Sequence, residues 1–163
     1  MRFRTIATTW LLLIALPGLA NDIKGGDRSW QMPVGHEFTT SGWNWIYDSS
    51  VRYLSISPRS YPQGPLPAAV SVSGSASLQD SNGNYRAGYF YFMLGWYDCS
   101  YDFHVSNLTM VPVAATGHQA FTFTDVVDNP CPTASPIWVE IEPVGGTAVI
   151  DSTDQFTMGW QSH

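Results

Sequence analysis

The sequence predicts an all-β protein built as a two-sheet antiparallel β-sandwich. The run Tyr89–Tyr97 has no charged residue and six aromatic ones among nine, a composition that favours a β-strand. Short alternating runs separated by Gly, Pro, Asn and Ser recur along the rest of the chain, which is typical of sandwiches. No segment sustains the spacing of three and four between apolar residues that indicates a long helix.

The first 20 residues are predicted to be a signal peptide. Arg2 and Arg4 precede the apolar run Trp10–Leu16, and Gly18 and Ala20 place small residues before the expected cleavage site, the arrangement that a signal peptidase reads. The apolar run is much shorter than the roughly 20 residues that span a bilayer. We therefore expect a secreted or periplasmic protein without membrane insertion.

The remaining chain is predicted to consist of an irregular lead-in over 21–41 and a single sandwich domain over 42–163. The lead-in is polar and rich in glycine. Strands are expected near 43–47, 51–57, 69–79, 85–97, 101–106, 108–114, 119–127, 136–142, 147–151 and 155–160, and the four prolines between residues 58 and 67 predict a loop.

The charge of the chain restricts its partners. Without Arg2 and Arg4, five basic side chains face 13 acidic ones, and only Lys24 is a lysine. A chain with so few cations cannot neutralise a run of phosphates, so nucleic acid is excluded as the expected partner. Neutral polymers, cations and basic proteins remain, and the expected partner is a carbohydrate or an extracellular protein.

Cys99 and Cys131 are the two cysteines of the chain. In an oxidising compartment two cysteines predict one disulfide. They do not form a Cys-x-x-Cys pair, and neither has a histidine beside it, which disfavours a metal site.

The turn that begins at Asp80 has two interpretations. Asp80, Asn82 and Asn84 alternate as the first ligands of a calcium loop do, but Tyr85 and Tyr91 stand where that loop needs Gly and Glu. Asn-Gly between alternating runs is also a strong hairpin signal. We expect a hairpin and no cofactor, while a structural calcium ion stays an alternative.

The end of the chain carries a resemblance. The alternating strand Pro136–Glu142, the turn Gly145–Gly146 and the apolar strand Thr147–Asp151 resemble the last strands of galactose-binding-like jelly rolls, the fold of many carbohydrate-binding modules. Gly42–Trp43 and Phe121–Thr124 are similar to segments of that family as well. The resemblance implies a jelly-roll-like sandwich and favours sugar binding, but it implies no particular ligand residue.

Alternation predicts the faces of two strands. Between 85 and 97 it sends Phe90, Phe92, Leu94 and Trp96 to one face, expected to be core, and Tyr89, Tyr91, Met93 and Tyr97 to the other. Between 136 and 142 it turns Ile137, Val139 and Ile141 inward and Trp138, Glu140 and Glu142 outward. An outward row of aromatic rings and carboxylates suits a sugar, by stacking and by accepting hydroxyl hydrogens. A strand covered on both faces would have a similar pattern.

Asp102 and His104 share one face of the segment 101–105, opposite Tyr101, Phe103 and Val105. They are candidate ligand-binding residues. One His and one Asp fall short of the three or four ligands of a zinc site, so no metal is expected there.

Catalysis is not expected. Glu140 and Glu142 lie about 7 Å apart along a strand, within the range of glycosidase carboxylates, so a glycoside hydrolase stays an alternative. No Gly-x-Ser-x-Gly, His-Glu-x-x-His or phosphate-binding glycine loop occurs.

The sequence therefore predicts a secreted, non-catalytic, lectin-like domain that binds carbohydrate through an aromatic sheet face. The predicted ligand-binding residues are Tyr89, Tyr91, Tyr97, Asp102, His104, Trp138, Glu140 and Glu142. The alternative is a structural or protein-interaction domain of an envelope or extracellular matrix.

Overall fold

The computed structural model describes residues 28–57, 68–131 and 136–162. The predicted signal peptide over 1–20 and the predicted proline-rich loop over 58–67 lie outside these residues. Within them no helix is both long enough and apolar enough to cross a membrane.

Twelve strands of the described residues form two six-stranded sheets in which every pairing is antiparallel. The first sheet contains β1 (Arg28–Gln31), β2 (Phe38–Thr40), β5 (Ala68–Gln79), β9 (Gln119–Val127), β11 (Thr147–Ile150) and β12 (Gln155–Ser162). The second contains β3 (Asn44–Trp45), β4 (Ser55–Ile56), β6 (Gly88–Tyr97), β7 (Phe103–Val105), β8 (Thr109–Val113) and β10 (Ile137–Val144). The predicted all-β, two-sheet antiparallel sandwich is confirmed.

Each sheet is built around long central strands, and along at least one edge of these strands two shorter strands pair one after the other. In the first sheet β5 pairs with β9 on one side and with β11 and β12 on the other, and β2 and β1 continue outward from these. In the second, β6 and β10 pair along their length, β7 and β8 flank β6, and β3 and β4 flank β10. The second sheet therefore presents one outer face formed by six strands.

The core lies between the sheets and follows the predicted alternation. Phe90, Phe92, Leu94 and Trp96 are at most 3% exposed, and Ile137, Val139 and Ile141 are fully buried, so both predicted inward sets are confirmed. The ring of Phe92 in the second sheet lies 4.5 Å from that of Phe121 and 5.1 Å from that of Phe123 in the first. These contacts join the two layers.

The irregular lead-in predicted over 21–41 is wrong for its described part. Residues 28–31 and 38–40 form β1 and β2, and this part of the chain buries Trp30, Phe38 and, just after β1, Met32 in the core. Each strand is too short to show a run of alternation, because it contributes only one or two inward side chains.

Three turns share one hydrogen-bonding pattern. In each, an aspartate Oδ1 accepts the backbone N–H groups two and four residues later, and the residue three positions later has a left-handed backbone. The turns start at Asp48, Asp80 and Asp98, and their left-handed residues are Val51, Gly83 and Tyr101, with φ of 57°, 79° and 67°. The carboxylates thus take up backbone donors that the turns leave unpaired.

The expected turn after Asp80 is present, but it connects the sheets. Only Gln79 and Tyr85 pair across it before β5 continues in the first sheet and β6 enters the second. The Asp98 turn, in contrast, joins neighbouring strands β6 and β7.

The predicted disulfide is present. Cys99 and Cys131 are joined with a Cα–Cα distance of 4.7 Å. The backbone N–H of Cys131 also donates to the carbonyl oxygen of Tyr97 at 3.4 Å, so the end of β6 is held to the segment after β9.

Candidate functional site

The outer face of the second sheet carries a cleft of about 370 Å³ that is lined by aromatic side chains. They come from separate parts of the fold: β3, the turn before β4, β6, β7 and β10. The lining residues are Trp45, Tyr53, Tyr97, Phe103 and Trp138. We call this feature the aromatic cleft.

The rings of the aromatic cleft meet at steep angles. Trp45 is 5.5 Å from Trp138 at 62° and 5.9 Å from Phe103 at 78°. Tyr97 is 6.0 Å from Trp138 at 88° and 5.1 Å from Phe103 at 54°. Edge-to-face pairs of this kind stabilise one another by about 0.5–1.5 kcal/mol each. The cleft therefore presents ring faces from several directions and is not a single flat platform.

Gly95 makes this arrangement possible. It lies on the outward face of β6, opposite Trp138 of β10 and Val105 of β7. A Cβ added there would lie 2.5 Å from Cη2 of Trp45 and 3.0 Å from Cζ of Phe103, well inside ordinary carbon contact. The two rings thus rest directly on the backbone of β6.

Glu140 is the carboxylate next to the aromatic cleft. Its cross-strand partners are Trp45 on β3 and Met93 on β6, so it shares their outward face, two residues from Trp138. It is half-buried, and burial raises the pKa of its carboxyl group. Among the described residues it has no hydrogen-bond or ion-pair partner.

The other predicted residues of this face lie outside the cleft lining. Glu142 pairs with Tyr91, and Tyr89 pairs with Val144, toward the opposite end of β6 and β10. Tyr89 is 42% exposed. The structure therefore brings together Tyr97, Trp138 and Glu140 and places Tyr89, Tyr91 and Glu142 farther along the same sheet face.

Asp102 and His104 lie away from the cleft. His104 pairs with Trp96 and stacks on its ring at 5.8 Å. Its Nε2 lies 3.1 Å from Oδ2 of Asp98, and this hydrogen bond is the main reason that the pKa of Asp98 is lowered. Asp102 donates its backbone N–H to Oδ1 of Asp98. Both residues contribute to the β6–β7 turn.

Trp45, Tyr53 and Phe103 line the cleft but were not among the predicted ligand-binding residues. Phe103 and Trp45 each lie in a strand of two or three residues, where alternation gives little indication of the face. An aromatic residue in a short strand beside a glycine-containing strand is a signal that could have identified them.

A second polar cluster lies in the first sheet. His118 Nδ1 is 2.8 Å from Oδ1 of the fully buried Asp154, and its Nε2 is 3.4 Å from Oδ2 of Asp151. Asp154 also accepts hydrogen bonds from Ser75 Oγ and from the Asp151 backbone N–H. One possible ligand atom from each of His118, Asp151 and Asp154 lies within 4.8 Å of the others, and imidazole and carboxylate are both metal ligands. Hydrogen bonds within the cluster already satisfy the carboxylate of Asp154.

These features define an all-β sandwich with an aromatic cleft on one sheet. No family model matches the chain, and no curated protein matches it. Among solved structures it is similar to the CBM22-1 xylan-binding domain of Xyn10C from Paenibacillus barcinonensis, with 10% identity, a TM-score of 0.46, and coverage of 85% of this chain and 97% of that domain. The likeness identifies neither a ligand nor a reaction for this chain.

Proposed function

We propose that this protein is a secreted, non-catalytic domain that binds carbohydrate in the aromatic cleft. The observation that carries the proposal is the convergence of five aromatic side chains from five segments on one outer sheet face, beside the carboxylate of Glu140. Aromatic faces bury the C–H surface of a sugar ring at low entropic cost, and a carboxylate accepts hydrogen bonds from its hydroxyl groups.

A binding role fits the arrangement of the carboxylates better than catalysis does. Glycosidase carboxylates flank the scissile bond from two sides, whereas Glu140 and Glu142 lie on the same face of one strand. The described residues that line the aromatic cleft include no acid on an opposing wall.

Secretion is supported by the disulfide, since disulfides persist in oxidising compartments. The expected signal peptide over 1–20 belongs to the same proposal.

The test is calorimetric titration of the mature protein with a panel of oligosaccharides. Trp138→Ala should weaken binding by about 1–3 kcal/mol, the range of an interface hot spot, because it removes one wall of the cleft. Trp43→Ala is the matched control, since Trp43 is 39% exposed and is not part of the cleft lining. Equal losses in both variants, or no binding of any oligosaccharide, would refute the proposal.

Protein binding is the second candidate. Val105, Leu108 and Met110 are at least 50% exposed along the β7–β8 edge, an apolar strip of the kind that contacts other proteins. A basic partner would bind this acidic chain with steep salt dependence, whereas a neutral sugar would bind almost independently of salt.

A further inference from the structure

We propose that the sugar bound in the aromatic cleft carries a protonated amine, as a glucosamine unit does, with ring faces around the ammonium group and the Glu140 carboxylate as its counter-ion. This inference rests on the proposed carbohydrate function and specifies the class of sugar.

The first argument is the orientation of the rings. A single flat platform contacts only one face of a pyranose, whereas the interplanar angle here is 62° between Trp45 and Trp138 and 88° between Tyr97 and Trp138. Rings inclined to one another offer a compact cation more than one π-face, and each π-face attracts it through its negative potential. Trp and Tyr attract cations in this way more strongly than aliphatic side chains of similar size.

The second argument is the unpartnered carboxylate. Glu140 is half-buried, and no described residue donates a hydrogen bond or a positive charge to it. Cross-strand partners have Cβ atoms about 4.5–5.5 Å apart, so the side chain of Glu140 lies beside that of Trp45, next to the residues that line the cleft. A partly buried charge without a partner is costly, and a cationic ligand would supply the partner.

The third argument is the charge around the cleft. The described residues that line it include no lysine or arginine. Arg52, next to Tyr53, is held by Asp48 through an Nη2–Oδ2 distance of 2.6 Å, and Arg28 donates to the carbonyl oxygen of Ser55 at 3.0 Å. Among the residues that the structure describes, the other titratable groups on the outward face near Glu140 are Glu142 and the tyrosine phenols, so the field of these residues favours a cation and disfavours uronic acids.

The test compares three β-linked oligomers of equal length, made of glucosamine, N-acetylglucosamine and glucose. Binding is measured by calorimetry at a pH at which the free amine is protonated. We expect the glucosamine oligomer to bind about tenfold more tightly than the other two, the factor that one cation–π and charge contact supplies. Tetramethylammonium chloride should displace it more effectively than sodium chloride of the same concentration.

Glu140→Gln tests the counter-ion. It should remove the preference for glucosamine, so that the glucosamine and the acetylated oligomers bind the variant with equal affinity, and Glu142→Gln, the control on the same strand face, should have a much smaller effect on that preference. If all three oligomers bind wild-type protein equally, the inference is wrong while the proposed carbohydrate function stands. If none of the three binds, the inference is wrong, and the oligosaccharide panel described above decides the proposed function. A glucosamine preference that survives Glu140→Gln would also overturn the inference.

Discussion

Gly95→Ala is expected to distort the aromatic cleft while the sandwich stays folded. The added methyl group would lie 2.5 Å from Cη2 and 3.0 Å from Cζ3 of Trp45. Because carbon atoms prefer separations of about 3.5–4.0 Å, the indole must move outward by about 1 Å or more. Trp45 is half-buried at the surface and can make this movement.

The expected loss of unfolding free energy is therefore about 1 kcal/mol, the lower end of the range for overpacking. Ligand affinity should fall about tenfold or more, because Trp45 would leave its contacts with Trp138 and Phe103. Urea unfolding measures the first quantity and calorimetric titration the second. Gly42→Ala is the control, because nothing lies within 4 Å of a Cβ added there.

Two results would refute the reasoning. One is wild-type affinity in Gly95→Ala, which would mean that the cleft does not depend on close contact between Trp45 and β6. The other is a loss in Gly42→Ala as large as that in Gly95→Ala.

Two further predictions concern the aspartate-initiated turns. Val51→Gly and Tyr101→Gly should each raise the free energy of unfolding, measured with urea, by up to about 1 kcal/mol, because both residues have the left-handed φ that Gly83 adopts without a Cβ. A decrease in both variants would contradict this. Burial raises the pKa of Asp48, but hydrogen bonds from Arg52 and Ser50 and the charge of Arg52 outweigh it and hold this pKa below its usual value. The stability that the Asp48 carboxylate contributes is therefore present above about pH 4 and is lost as the pH falls through the pKa of the folded state. Between pH 5 and pH 3 the free energy of unfolding should change less for Asp48→Asn than for the wild type. Urea unfolding at each pH measures this, and an equal change in the two proteins would refute the stabilising role of the Asp48 carboxylate.

The fold could be predicted from the sequence where strands are long and one face is buried. In β6 and β10 each inward residue alternates with an outward one over eight or more positions, so the period reports the face directly. Strands β1 and β2 were missed because three or four residues cannot show a period, and their place in the first sheet depends on pairing with β11 and β12, which lie more than 100 residues later.

The candidate site could be predicted only in part, for a related reason. Tyr97 and Trp138 lie in long strands whose outward face was evident from alternation. Trp45 and Phe103 join them through the register between strands, and Tyr53 joins them through its isolated bridge to Tyr47. The missing side chain of Gly95 then sets how closely the rings of Trp45 and Phe103 approach β6. Register and close approach are properties of the assembled sheet, so no local pattern contains them.

The position of the disulfide has a consequence for ligand binding. Cys99 lies two residues after Tyr97 and four before Phe103. The backbone N–H of its disulfide partner Cys131 also donates a hydrogen bond to the carbonyl oxygen of Tyr97. The covalent link therefore restrains two walls of the aromatic cleft before any ligand arrives. Side chains that are already ordered lose little conformational entropy on association, so the cross-link contributes to affinity through preorganisation, in addition to its effect on the unfolded chain.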